Sequence, residues 1–119
     1  MIRYHARWIV PVTAPPIAGG TVAVDGERIA YVGSRAGAPP GEDADLGNVL
    51  LLPGLVNAHC HLELTVMRGF LEALDFGDWI LRLATAKRAV LTSLEMLRDS
   101  ARLGIAEGLR AGVTTYGDT

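Results

Sequence analysis

Two histidines one residue apart are the part of this sequence best suited to chemistry. They are His59 and His61, in the run Asn57-Ala58-His59-Cys60-His61 that follows Pro53-Gly54-Leu55-Val56. In an extended strand, residues two apart project to the same side. Both imidazoles then face one way, as neutral nitrogen donors able to hold one divalent cation. Cys60, between them, points to the opposite face. That geometry argues against a Cys/His structural zinc centre, and so does ligand number, since structural zinc takes four ligands. Taken alone, an H-x-H pair is more commonly one core histidine with a chance neighbour. The segments that carry the pair decide between the two.

The first third reads as β structure. Ile2, Tyr4, Ala6, Trp8 and Val10 alternate with more polar neighbours, the period of a half-buried strand that Pro11, Pro15 and Pro16 end. Gly20 to Val24 and Arg28 to Val32 flank Asp25-Gly26-Glu27, a hairpin connection. Ala36 to Asp45, with Pro39, Pro40 and Gly41, reads as a surface loop, and Val49 to Leu52 as a short apolar run halted by Pro53-Gly54.

After Gly54 the character changes. Leu55 to His61 fits one strand buried on both faces. Asp75 to Leu91 is helical by the spacing of Trp79, Ile80, Leu83, Ala84 and Val90. Thr92-Ser93-Leu94-Glu95 fits a capping box made by Thr92 and Glu95. The helix it opens runs to about Arg110, with Leu94, Leu97, Ala101 and Ile105 on one face and Gly112 as its stop. Val113 to Tyr116, rich in β-branched residues, is a second strand. A strand–helix–strand order of this kind makes parallel neighbours. Two parallel strands with helices on one side leave the other face uncovered, so the expected architecture is an unfinished α/β fold.

A Pro-Gly turn feeding an apolar strand that ends in H-x-H resembles the first barrel strand of the amidohydrolase superfamily, whose pattern P-G-[LF]-[VI]-[ND]-x-H-x-H is matched by Pro53 to His61 throughout. Ala101 to Asp118, through Gly104-Ile105-Ala106-Glu107, Gly112-Val113-Thr114-Thr115 and Gly117-Asp118, is similar to that superfamily's first long helix and second strand. The branch it resembles holds cytosine, guanine and adenosyl-type deaminases and triazine chlorohydrolases. His61-Leu62-Glu63-Leu64 and Asp78-Trp79-Ile80 look most like its aminofutalosine deaminase-like members.

The resemblance implies residues 1–52 as part of a small β-sandwich. Residues 53–119 are then the start of a (β/α)8 TIM-barrel domain, which typically needs about 250 residues and is incomplete here. It implies His59 and His61 as metal ligands, with zinc the first expectation and iron the second. The implied activity is hydrolysis of C–N or C–Cl bonds, as in deamination of an amino-substituted ring or nucleoside-like small molecule by water activated at the metal. An imidazolonepropionase- or dihydroorotase-like hydrolase of cyclic amides shares the same opening motif.

In such enzymes the remaining ligands and the general acid/base come from later strands, so no catalytic residue is expected within these 119 residues, and the chain alone is expected to be inactive. It reads as the N-terminal segment of a longer enzyme, a gene fragment. The alternatives are half of a split enzyme completed by another chain, and a stand-alone metal-binding or scaffold protein.

Lesser candidates follow. Glu63, just past His61, would lie in a loop at the C-terminal face of a barrel, where it could contact substrate or be a solvated acid. Trp79 could line the pocket mouth, or pack in the core at its helical spacing with Ile80 and Leu83. Arg68, Arg82 and Arg88 could meet an anionic substrate, though solvated helix arginines are commoner. Asp118 could face the site, with loop capping the favoured role. Lys87 lies in a helix and makes a poor bridging lysine for a binuclear site. His5 has no expected role.

Composition narrows the remaining classes. Half the residues are hydrophobic and a fifth charged, which fits a packed core. Ten arginines and the single Lys87 are scattered and the net charge is −2, so no nucleic-acid or anionic-membrane partner is expected. The one cysteine, Cys60, implies no internal disulfide. The first eight residues contain no apolar leader, and no stretch approaches the roughly 20 apolar residues of a membrane span. The expected location is the cytoplasm, and uncovered apolar faces imply a homo-oligomer or a complementing chain.

Overall fold

The computed structural model describes residues 1–69 and 71–119, which form two compact units, Met1–Pro53 and Gly54–Thr119.

The first unit is a mixed sheet. β1 (Ile2–Ile9), β2 (Ile17–Asp25) and β3 (Arg28–Ser34) form an antiparallel meander, with β2 and β3 joined through Gly26-Glu27 as the turn residues predict. β4 (Glu42–Asp45) and β5 (Leu50–Leu51) both run parallel to β1 on its other edge, giving the order β3-β2-β1-β4 with β5 beside β1. The expected loop at 36–45 is therefore part strand. Glu42-Asp43-Ala44-Asp45 lacks the apolar alternation that marks a strand, and it pairs instead through its backbone and through the Asp43 carboxylate.

Burial along β1 also departs from the expected alternation. His5, Ala6 and Ile9 are buried, while Trp8 is exposed. His5 can be buried because both ring nitrogens have partners: Nδ1 lies 2.7 Å from Thr21 Oγ1 and Nε2 lies 2.7 Å from Asp43 Oδ1. Arg3 meets the same Asp43 oxygen at 2.6 Å. One side-chain network thus ties β1 to strands on both of its edges.

The second unit holds β6 (Leu55–Cys60), a 3-10 turn at Leu62–Met67, α1 (Phe76–Val90), α2 (Leu94–Arg110) and β7 (Val113–Asp118). β6 and β7 pair in parallel, as the strand–helix–strand order predicts. α1 begins at Asp75, whose carboxylate accepts the Asp78 amide. α2 is capped by Ser93, which accepts the Met96 amide, and not by Thr92 as the capping-box spacing suggested. The cap position therefore moves one residue along and leaves Glu95 in the first turn, where it favours the helix dipole.

Both helices also bury a face rotated from the predicted one. α1 turns Trp79, Leu83 and Ala86 inward, onto a cluster with Met67 and Leu91, and leaves Ile80, Ala84 and Val90 exposed. α2 turns Leu97, Ser100, Ala101 and Gly104 inward, whereas Leu94 and Ile105 are exposed. For α2 the cause lies in the 3-10 turn. Ser100 is fully buried and its Oγ accepts the Val66 amide, and a Cβ on Gly104 would collide with Thr65. Small residues let the turn sit against α2, and hydrophobic periodicity does not register them.

β6 was expected to be buried on both faces, but Leu55 and Val56 are 50% and 66% exposed. Among the described residues of its unit β6 pairs with β7 alone, and α2 packs on β7 and on the 3-10 turn.

Candidate metal centre

His59 and His61 are adjacent at the end of β6. Their ring centroids are 5.2 Å apart with planes at 83°, and both side chains are exposed. Strand spacing brings them together, and the chain bends directly afterwards, with His61 as the residue before the 3-10 turn. Neighbouring β7 fixes this bend. The Thr119 amide donates to the Cys60 carbonyl at 3.0 Å, and His61 Nδ1 lies 2.6 Å from the Thr119 carbonyl oxygen. A carbonyl can only accept, so Nδ1 carries the hydrogen and Nε2 of the neutral ring keeps its lone pair.

Cys60 meets β7: its thiol donates to the Gly117 carbonyl at 3.7 Å and to Asp118 Oδ1 at 3.8 Å. Burial, and then the neighbouring Asp118 and Glu63 carboxylates, push the Cys60 thiol above its ordinary pKa. It is held as a thiol, a poor metal ligand and a poor nucleophile.

Gly117 is required for this arrangement. A Cβ there would fall 2.5 Å from the Ala58 carbonyl oxygen, a backbone atom that cannot swing aside. The close approach coincides with an irregular register between Asn57 and Cys60 on β6.

Glu63 stands in the first turn of the 3-10 segment, and its Oε1 accepts Lys87 Nζ from α1 at 2.6 Å. Lys87 is thus occupied as the counter-ion of Glu63. Trp79 stacks with Phe76 at 5.9 Å and packs against the Met67, Leu83 and Leu91 cluster. A shallow cavity of about 230 Å³ opens beside it, lined by Leu64, Met67, Arg68 and Leu71 among others. Arg68 makes a two-pronged ion pair with Glu107 on α2, and its hydrogen bonds hold the Glu107 carboxyl below the usual carboxylate range. Asp118, for which loop capping was the favoured role, accepts the Leu62 amide at 2.8 Å. The contribution of Thr119 is made by a backbone carbonyl, which leaves no mark in residue type.

Among the described residues, no group of three or more His, Cys, Asp or Glu side chains converges as a metal site. The donor chemistry of the histidine pair fits a divalent cation, since imidazole suits zinc and iron and one ring already has its second nitrogen anchored. Two ligands are fewer than the three that a catalytic zinc takes from protein. No helix among the described residues is long and apolar enough to cross a membrane.

Comparison with known proteins agrees with the strand motif. The profile of the amidohydrolase family matches residues 50–119, and the chain belongs to that family. A 5-methylthioadenosine/S-adenosylhomocysteine deaminase of Moorella thermoacetica is 33% identical over 92% of this chain and 26% of its own length. The crystal structure of an adenosine deaminase from Xanthomonas campestris with bound zinc superposes with a TM-score of 0.81 at 30% identity, covering 99% of this chain and 28% of that one. An atrazine chlorohydrolase of Arthrobacter aurescens complexed with zinc shares the fold, with a TM-score of 0.85 at 24% identity over 99% of this chain and 28% of that one. The chain spans about a quarter of the length of the relatives it matches.

Proposed function

We propose that these 119 residues are the N-terminal part of a metal-dependent hydrolytic deaminase acting on an adenosine-like small molecule. In this reading residues 1–52 are part of the β-sandwich flanking the barrel. Residues 53–119 open the (β/α)8 barrel, with β6 and β7 as its first and second strands. The observation that carries it is the His59 and His61 pair, rings 5.2 Å apart, with His61 Nδ1 tied to the Thr119 carbonyl. Relatives named as 5-methylthioadenosine/S-adenosylhomocysteine deaminases, and a neighbour solved with bound zinc, support the substrate class and the metal.

When bound, a divalent cation, zinc before iron, supplies the Lewis acidity that activates water near neutral pH. The chemistry is hydrolytic: oxygen from water bonds to the amino-bearing ring carbon, the C–N bond breaks, and the nitrogen leaves as ammonia. Within this segment His59 and His61 hold the metal through neutral imidazole nitrogens. Lys87 holds Glu63, whose carboxylate can accept a hydrogen bond from substrate. Trp79 shapes the apolar wall behind that loop. The general acid/base and the further ligands belong to the remainder of the longer enzyme, so the segment alone is expected to be inactive.

Metal content tests the assignment. Full-length protein carrying His59→Ala or His61→Ala should retain less than about a tenth of the wild-type zinc or iron after dialysis. Equal occupancy in wild type and both variants would sink the ligand reading.

A further inference from the structure

Asp118 ends β7, and its carboxylate reaches across to the residue that follows His61. Oδ1 accepts the Leu62 amide at 2.8 Å. Leu62 opens the 3-10 turn, and the residue in the capping position is His61, at φ −129° and ψ 83°, with no side-chain cap of its own. The first N–H groups of a helical turn lack partners within the turn, and the side chain of the preceding residue normally satisfies one of them. Here that cap comes from a neighbouring strand. The next residue, Thr119, takes the His61 ring through its carbonyl and the Cys60 carbonyl through its amide. His61 is therefore gripped at the ring by Thr119 and at the adjoining peptide by Asp118.

We propose that Asp118 is a positioning residue for the metal centre: by capping the Leu62 amide from β7, it sets the backbone bend at His61 and hence the direction of Nε2. The proposal rests on the reading of His61 as a metal ligand. Imidazole coordination is directional, and a ligand whose backbone can swing must be ordered before it binds. Gly117 makes the cap possible, because only a residue without Cβ lets β7 come this close to Ala58. Asp118 needs only an oxygen acceptor for this role, whereas a carboxylate bound directly to the cation would also need its charge.

The test is the zinc affinity of the full-length protein, measured by competition with a chromophoric chelator, together with hydrogen exchange at the Leu62 amide in the metal-free state. Asp118→Ala is expected to weaken zinc binding 10- to 100-fold and to speed Leu62 exchange, while Asp118→Asn, which keeps the accepting oxygen, stays within about threefold of wild type. Ser93→Ala removes a cap of the same kind from α2, and is expected to leave zinc affinity unchanged. Wild-type affinity in Asp118→Ala, alongside loss of zinc in His61→Ala, would overturn the proposal and leave the ligand reading intact. Asp118→Asn binding as weakly as Asp118→Ala would overturn it too, because charge would then be what matters. If His61→Ala binds zinc as wild type does, both readings fall together. Should Asp118→Ala fail to fold, Asp118→Glu carries the same test by moving the oxygen one methylene along. Weakened binding is then expected, and wild-type binding overturns the proposal.

Discussion

The buried imidazole of His5 has a partner at each nitrogen, Thr21 on β2 and Asp43 on β4, and Asp43 also receives Arg3. The hydrogen bond from His5 and the charge of Arg3 hold the Asp43 carboxyl below its ordinary value. Ionised Asp43 therefore contributes stability in full above the unfolded-state value, near 4, and that contribution drains away as pH falls through the lower folded-state value. Wild type should accordingly lose stability faster than Asp43→Asn as pH drops from about 5 to 3. Urea midpoints at pH 7, 5, 4 and 3 for both proteins check this, and parallel curves would rule the network out as a source of acid sensitivity. At neutral pH Asp43→Asn should be the less stable of the two, because its amide accepts both donors less strongly than the carboxylate does.

Among the elements, the contact of β6 with β7 is the least forgiving. Gly117→Ala would push a methyl against the Ala58 carbonyl, so an overpacking cost of about 1–3 kcal/mol is expected from thermal or chemical unfolding, together with weaker metal binding. A variant as stable as wild type would show that the strands can separate there at little cost. Most of this layout was legible in the sequence. The hairpin at Gly26, both helices, the parallel strand pair and the H-x-H run all carried a period or a turn residue. What escaped notice was encoded in other ways. β4 is made of acids and alanine and pairs through its backbone. The buried face of α2 is set by Ser100 and Gly104 meeting the 3-10 turn, contacts that a hydrophobic period cannot report. His5 looked idle because its partners are 16 and 38 residues away along the chain. At the site the adjacency of His59 and His61 was readable from strand spacing, and the Pro53-Gly54 context gave it meaning, whereas the Thr119 carbonyl and the crossing Asp118 cap emerge only once β6 and β7 lie side by side.

At the scale of the molecule, large apolar side chains remain open to solvent in both units. Ile29 is 66% exposed, and in the second unit Val56, Phe76 and Leu81 are 66%, 76% and 70% exposed. Exposed apolar area of this kind needs a cover. The 119-residue chain prepared alone should bind a hydrophobic dye and sediment as a mixture of associated species. The full-length protein should do neither at the same concentration. A dye-silent monomer at tens of micromolar would mean that the segment covers these faces by itself.

The ion pair between Lys87 and Glu63 has one more consequence, because Lys87 is the only lysine in these 119 residues. An amine-acylating reagent has a single side-chain target in this stretch, and it reacts only with the neutral amine. The labelling rate of one tryptic site therefore reports on a single ion pair, and Glu63→Gln should change that rate, readable by mass without engineering a probe into the chain.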